Sequence, residues 1–567
     1  MGVTAGLISL LAVAAACVLL SRAGITRRLA LLTTLASGLA LAGVIIDPLE
    51  PAVTTSLYSI GAIAVVLPAP VALSERALAG GLLFGGTIGL LGLALAVPPG
   101  TKGFGVLFGW LTLALAAALL SLAIPPLSGL TPLSWVLAAL AAHGALLASG
   151  VTPVPGRLPP HLIAGAVAVV AVSGLIAMMA LLPPDTTPAT APVLFALIGA
   201  LALAGAPPFA GTRLSFAHAP ALVGALIAGL VLPTIGLGFI VRVMPQLPPL
   251  PALAGQLLAA AGAIGALGTA VGALRAANGR ELVLWQGALQ AGVVVCAAAI
   301  NDPLAGLAAS ALVLALQLHA IAGGIVVAAM IQRQSNDALD GSAAQTALPL
   351  IGALWLLTTA TATGLPLGWS FWGWRWLIEA LATRLVWAIA PLIAAALIGL
   401  AAGLPLLIRC WHHGQTTARE HWPEGTLGGL VLAPLILAGL IPWLAWPLWL
   451  SWSPFAPPVL PANPIAWPLI GFALASGLGG WLVARRAKPL DPPRNTDTTV
   501  IPTWQGMGDG LRGLAEAANA RTALIVLGRG IDRVASLLHT GMIIFEQRYY
   551  LFGVIIALLA ILILMAQ

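Results

Sequence analysis

The sequence predicts an all-α integral membrane protein that crosses the bilayer many times. The 567-residue chain is 60% hydrophobic and only 7% charged, whereas soluble proteins carry about 25% charged residues. Its mean hydropathy is +1.05, and apolar runs of about 18 residues or more, the length that spans a bilayer, recur along it. We therefore expect about 14–17 transmembrane helices, two of them broken, with a C-terminal amphipathic helix and a final transmembrane span.

Apolar runs define the predicted spans and divide the chain into four parts. The runs lie near residues 3–20, 28–46, 56–73, 77–97, 104–124, 132–150, 162–182, 191–206, 219–243, 252–276, 283–300, 304–331, 346–366, 385–409, 426–450, 465–484 and 549–566. The four predicted parts are N-terminal transmembrane helices (1–190), a core with broken helices (191–484), a proline-containing linker with an amphipathic surface helix (485–547) and a C-terminal transmembrane helix (548–567).

Charge and motif content exclude several functional classes. The net charge of +7 fits loops that follow the positive-inside bias, so we expect contact with lipid and none with nucleic acid. No nucleotide-binding, redox or zinc-protease motif occurs, which predicts no bound cofactor. The three histidines of Trp411–Gly425 are typical of a solvated loop, and the three cysteines lack paired spacing. We therefore predict no metal site.

One stretch, Leu197–Met244, has the pattern of a broken membrane helix. Two apolar segments flank a polar elbow that contains Pro207, Pro208 and Pro220. A bilayer tolerates such a break only where protein or a water-filled cavity satisfies the freed backbone groups, so a break indicates an ion or substrate path. A simple extramembrane loop between two spans is the alternative. A second break is predicted at Gly364–Ser370.

Four segments of the chain form a recognisable series, in order and at a characteristic spacing. Their residues are Gly199, Pro208, Phe209, Pro220, Val223, Ala225, Leu226 and Arg242; Asn278–Glu281 with Trp285, Gln286, Gln290 and Gly292; His319–Gly324; and Gly364–Pro366 with Phe371, Trp374 and Arg375. This series resembles the antiporter-like membrane subunits of respiratory complex I, a module that also occurs in membrane-bound hydrogenases and multi-subunit sodium/proton antiporters.

The resemblance implies a membrane subunit of a complex-I-like or hydrogenase-like ion-translocating redox complex. Its partners would be the other membrane and redox subunits, and its location the inner (cytoplasmic) membrane. Flavin, iron–sulfur and quinone chemistry would reside in those partners. The chain itself would be at most a non-catalytic subunit of an NADH:quinone oxidoreductase-like or hydrogenase-like complex.

The sequence departs from the family where pumping members carry ionisable residues at mid-membrane. At or near those four places stand Thr112, Pro233, Gly323 and the uncharged segment Pro391–Leu407. We therefore expect a structural or weakly conducting subunit. Two alternatives remain open: a proton or cation channel that uses histidines, Thr112 and water, and a stand-alone secondary transporter of a small solute, for which inverted symmetry would be evidence.

Polar residues near membrane depth are the candidates for a proton path, because burying them is costly without a function. They are His319, His218, His143, Gln317, Thr112, Arg280, Glu281, Arg375 and Glu379. Histidine titrates near pH 6.5 and can relay protons.

Each candidate also has a structural interpretation. His319 and His143 fit satisfied structural histidines, and His218 fits a cap of the re-entering helix. Arg280 and Glu281 stand at the mouth of a span. Arg375 and Glu379 have i,i+4 spacing and can pair at the membrane interface.

Overall fold

A computed structural model describes a large part of the chain. It covers residues 2–20, 26–46, 57–60, 63–66, 73–96, 104–151, 158–181, 190–247, 250–334, 349–365 and 370–411. These belong to the first of two compact units, Met1–Leu474. The predicted spans near 426–450, 465–484 and 549–566, together with the predicted linker and amphipathic helix, lie outside the described residues.

The described chain is built from helices, with one short hairpin. In order they are α1 (Gly2–Leu20), α2 (Thr26–Ile46), β1 (Leu57–Ile60), β2 (Ile63–Val66), α3 (Leu73–Ala96), α4 (Phe104–Ala123), α5 (Thr131–Ala148), α6 (Pro160–Leu181), α7 (Thr190–Ala204), α8 (Ala210–Leu214), α9 (Ala221–Gly224), a π-helix (Ala225–Val231), α10 (Leu232–Val243), a 3₁₀ turn (Met244–Gln246), α11 (Ala252–Leu274), α12 (Gly279–Ala298), α13 (Pro303–Gln334), α14 (Pro349–Thr363), α15 (Phe371–Arg384), a 3₁₀ turn (Val386–Ala388) and α16 (Ile389–Trp411).

The architecture confirms the predicted multi-pass, all-α membrane fold. Within the described residues, nine helical segments are long and apolar enough to cross a bilayer, and four shorter apolar helices accompany them. The predicted span at 56–73 is wrong, because β1 and β2 pair there as an antiparallel hairpin. Tyrosine and β-branched residues of this stretch favour strand, and Pro68 and Pro70 are incompatible with a helix interior.

Three elements form the centre of the bundle. Every residue from Leu222 to Val243 is buried. In the most apolar 18-residue stretch of α12 and of Pro303–Ile331 in α13, 89% and 83% of the residues are buried, whereas the share is only 33% in α6 and in Val386–Leu407. Small residues allow close approach: Gly229 faces Ala320, and Gly324 faces Ala225, so the π-helix packs directly on α13. This use of glycine and alanine is the usual way membrane helices pack closely.

Both predicted breaks exist in the structure. α7 ends at Ala204, Gly205 adopts a φ of 59°, and the chain passes through α8 before it re-enters at α9. Most of this elbow is buried, which favours a broken helix over an extramembrane loop. α14 ends at Thr363, Gly364 has a φ of 71°, and α15 begins at Phe371.

Candidate ion path and its polar core

A neutral hydrogen-bonded pair lies at the centre of the bundle. Gln317 on α13 donates from Nε2 to the Thr234 hydroxyl over 2.8 Å and is 3.2 Å from the carbonyl oxygen of Leu78 on α3. Thr234, on α10, in turn donates over 2.6 Å to the carbonyl oxygen of Leu230, which lies in the π-helix. π-helical turns occur frequently at functional sites. Among the predicted candidates, Gln317 is therefore the one that links three helices at the centre of the bundle, α3, α10 and α13.

His319 is held between two backbone carbonyls. Its Nδ1 lies 3.1 Å from the Thr358 oxygen on α14, and its Nε2 lies 3.4 Å from the Val283 oxygen on α12. A neutral imidazole carries one N–H and can donate to only one of these oxygens, whereas an imidazolium donates to both. The fully buried ring therefore has acceptors in place for a second proton.

Arg213 is a buried cation in the elbow that our sequence analysis did not include among the candidates. It is 2% exposed, its Nη2 donates to the Ala204 oxygen over 3.1 Å, and its Nε has no partner among the described residues. The guanidinium lies against Gly287 of α12, where any side chain would overlap it. The sequence does contain a signal for this residue, because Arg213 is the one charged residue within Leu197–Phe216.

Side-chain amides satisfy backbone groups that the second break releases. Gln290 donates to the Thr361 carbonyl over 2.6 Å, and the Ser370 hydroxyl donates to the same oxygen. Gln286 lies 3.4 Å from the Gly399 oxygen of α16. The Oε1 atoms of Gln286, Gln290 and Gln317 have no hydrogen-bond partner among the described residues.

Two other candidates lie apart from this polar core. His218 is exposed on the turn before α9, and α9 has Pro220 as its N-cap without a side-chain hydrogen bond. The suggested capping role of His218 is therefore wrong. Thr112 is buried, but its hydroxyl donates to the Phe108 carbonyl of its own helix over 2.7 Å, as threonines inside helices commonly do.

The candidates at the mouth of α12 have distinct surroundings. Asn278 Oδ1 accepts from the Glu281 backbone N–H over 2.9 Å, and Glu281 Oε2 accepts from the Ala277 N–H over 3.1 Å. This is a variant of the capping box, in which Glu281 reaches the N–H of the residue before the N-cap, and it supports the structural interpretation of Glu281. Arg280 lines a cleft that also includes Val283, whose carbonyl faces His319.

The predicted pairing of Arg375 with Glu379 is confirmed on α15. Arg375 Nε is 3.1 Å from Glu379 Oε1, and the Arg375 guanidinium lies 5.1 Å from the centre of the Trp372 ring. Both charged side chains are partly exposed, at 15% and 25%. This arrangement is typical of an interfacial anchor.

His143 has a partner that the sequence analysis missed. His161, at the first turn of α6, lies with its ring centre 5.5 Å from that of His143 and 4.9 Å from that of Phe216. His161 is 2% exposed. The apolar run that predicts this span starts only at residue 162, after His161, and no local pattern connects the two histidines.

Buried charge is scarce in the described part of the chain. Arg213 and Arg242 are the buried charged side chains there, and no Asp, Glu or Lys is among them. Arg242 lies in the last turn of α10 and donates to the carbonyl oxygens of Ser121 and Ile124, over 2.8 and 2.6 Å. It thereby binds the C-terminal end of α4, where a cation is favoured by the helix dipole.

Comparison with known proteins identifies the fold. Residues 214–399 match the family model described as NADH:quinone oxidoreductase/Mrp antiporter, TM. The resemblance to antiporter-like membrane subunits is confirmed. No curated protein sequence matches the chain significantly.

Solved structures of multi-subunit membrane complexes share this antiporter-like fold. A chain of the membrane-bound sulfane sulfur reductase, an archaeal respiratory membrane complex, is 17% identical, with 79% of this chain and 95% of that chain covered and a TM-score of 0.64. A chain of respiratory complex I from Thermus thermophilus is 18% identical, with 78% and 97% covered and a TM-score of 0.65. A chain of the Mrp complex from Dietzia sp. DQ12-45-1b is 18% identical, with 92% of this chain but only 60% of that chain covered and a TM-score of 0.66.

Proposed function

We propose that this protein is an antiporter-like subunit of a complex-I-like or hydrogenase-like complex in the inner (cytoplasmic) membrane, and that it is structural or weakly conducting. The observation that carries the proposal is that the described bundle buries no Asp, Glu or Lys. Its central polar groups are neutral Gln317, Thr234 and His319, each hydrogen-bonded or in contact with backbone oxygens. Fast proton relays place acidic and basic groups along a path, and of these three central groups only His319 is ionisable.

Gly323 adds a steric argument. The family resemblance places a lysine at this position, four residues after His319. In this chain a Cβ at Gly323 would overlap the side chain of Val283 on α12. The space that a longer side chain needs is therefore filled, and α12 and α13 pack closely in its place.

A stand-alone transporter of a small solute receives no support from the comparisons, because the neighbours named above are chains of multi-subunit complexes. The test of membership is purification of the tagged chain from its native membrane in a mild detergent, followed by mass spectrometry of the stoichiometric partners. We expect iron–sulfur and further membrane subunits to co-purify. A homogeneous chain that migrates alone, while a known complex from the same membrane stays intact, would overturn the proposal.

A further inference from the structure

One ring nitrogen in each of two neighbouring histidines has no hydrogen-bond partner in the described part of the chain. His143 Nδ1 and His161 Nε2 are both buried and have no hydrogen-bond partner among the described residues. Leaving a buried polar atom unpaired costs its desolvation free energy, so two such atoms in adjacent rings are unfavourable unless something binds them. The pair lies beside the elbow, because His161 also contacts Phe216 and Ser215.

The hydrogen bonds of Ser215 determine which nitrogen of His161 carries the proton. The Ser215 hydroxyl donates its one hydrogen to the Thr212 carbonyl over 2.7 Å. Its contact of 3.4 Å with His161 Nδ1 must then use the oxygen as acceptor, so Nδ1 carries the hydrogen. The neutral ring consequently presents a bare lone pair at Nε2, the atom that has no protein partner.

We propose that His143 and His161 bind one divalent transition-metal ion of the zinc class. Imidazole nitrogen suits zinc, and a ligating histidine commonly donates its other N–H to a nearby oxygen, as His161 does to Ser215. Two imidazoles on one tetrahedral ion, with metal–nitrogen bonds of about 2.0 Å, have ring centres roughly 5 Å apart. The observed separation is 5.5 Å.

The two histidines would supply only part of a coordination shell, and water would have to supply the remaining ligands. No group of three or more His, Cys, Asp or Glu side chains comes together among the described residues. Structural zinc sites have four protein ligands and catalytic sites three, so a site with two is weaker and exchangeable. An ion here would link α5 to α6 and hold Ser215, and hence the elbow, in place through His161.

The test is metal binding to the purified full-length chain with a histidine-free tag, using Zn²⁺ for affinity and Co²⁺ for its visible absorption. His412, His413 and His421 are changed to Gln in every variant, so that binding there does not contribute. We expect one ion per chain, affinity lowered more than about tenfold by His143→Gln or His161→Gln, and lowered about tenfold by Ser215→Ala. His218 is exposed and lies three residues after Ser215 in the elbow. His218→Gln is therefore the matched control, and we expect it to leave the affinity unchanged.

X-ray absorption of the zinc-loaded protein, without further substitution at the site, keeps the proposal testable if a variant misfolds. Two imidazole nitrogens in the first shell support it. No saturable binding, a shell without two imidazoles, or equal loss of affinity in His218→Gln would overturn it.

Discussion

The Gln317 amide donates to the Thr234 hydroxyl across 2.8 Å and thereby joins α13 to α10 at the centre of the bundle. Gln317 also contacts the Leu78 carbonyl of α3, so one neutral side chain links three central helices. Hydrogen bonds of this kind contribute about 1 kcal/mol each to association of membrane helices. The centre of the described bundle is therefore fixed by neutral groups, which agrees with a mainly structural subunit.

Gly81 on α3 is the contact surface for this amide. A Cβ at Gly81 would overlap Gln317 Oε1 and the Leu314 side chain, whereas a Cβ at Gly80 has open space around it. We expect Gly81→Ala to destabilise the detergent-solubilised protein by about 1–3 kcal/mol through overpacking. Thermal unfolding monitored by circular dichroism measures this change. Gly80→Ala is the control and should leave stability unchanged or slightly higher; equal losses would contradict the packing argument.

Arg242 and Arg384 make a matched pair of arginines. Arg242 binds the carbonyls of Ser121 and Ile124 at the end of α4, whereas Arg384 is 61% exposed and 3.9 Å from Asp302. We expect Arg242→Met to cost about 1–3 kcal/mol, because buried carbonyls lose their donor. Arg384→Met should cost less than about 1 kcal/mol. The shift in unfolding midpoint is measured for both variants. An equal shift would contradict the conclusion that Arg242 stabilises the end of α4 by binding its carbonyl oxygens.

Glu281 is expected to stabilise α12 without taking part in proton transfer. Asn278→Ala and Glu281→Ala should each destabilise the protein by about 1 kcal/mol, because each removes one side of the capping box. The double variant should lose less than the sum of the two, since both act on one cap. Proton permeability of reconstituted vesicles should be the same in all three variants. A selective fall in permeability with Glu281→Ala would instead indicate a relay.

Gly323 and Val283 are expected to be coupled. Gly323→Ala brings a methyl group onto the Val283 side chain and should cost about 1–3 kcal/mol. Val283→Ala makes room, so adding it to Gly323→Ala should recover part of the lost stability. A double-mutant cycle on unfolding midpoints measures the coupling. Strictly additive losses would show that Val283 does not fill the space beside His319.

Local sequence signals account for the parts that were predicted correctly. The i,i+4 spacing of Arg375 and Glu379 predicted their ion pair. Proline and glycine marked both breaks. These features depend on neighbours within one helical turn, where sequence spacing determines which side chains can meet.

Long-range contacts could not be predicted in the same way. Gln317 and Thr234 are 83 positions apart, and His161 and Ser215 are 54 positions apart. Their pairing depends on which helices become neighbours and on their rotation, which helical periodicity does not specify. The span at 56–73 was wrong for a different reason: apolar content indicates burial or membrane contact, but does not distinguish a short β-hairpin from a helix.

The most direct test of the central claim is proton uptake by proteoliposomes that contain the purified chain, driven by a potassium diffusion potential. We expect a rate close to that of protein-free vesicles, with any small excess reduced by His319→Phe and unaffected by His218→Phe. Rapid uptake that His319→Phe abolishes, in correctly folded and oriented protein, would contradict a structural or weakly conducting role and identify a conducting subunit.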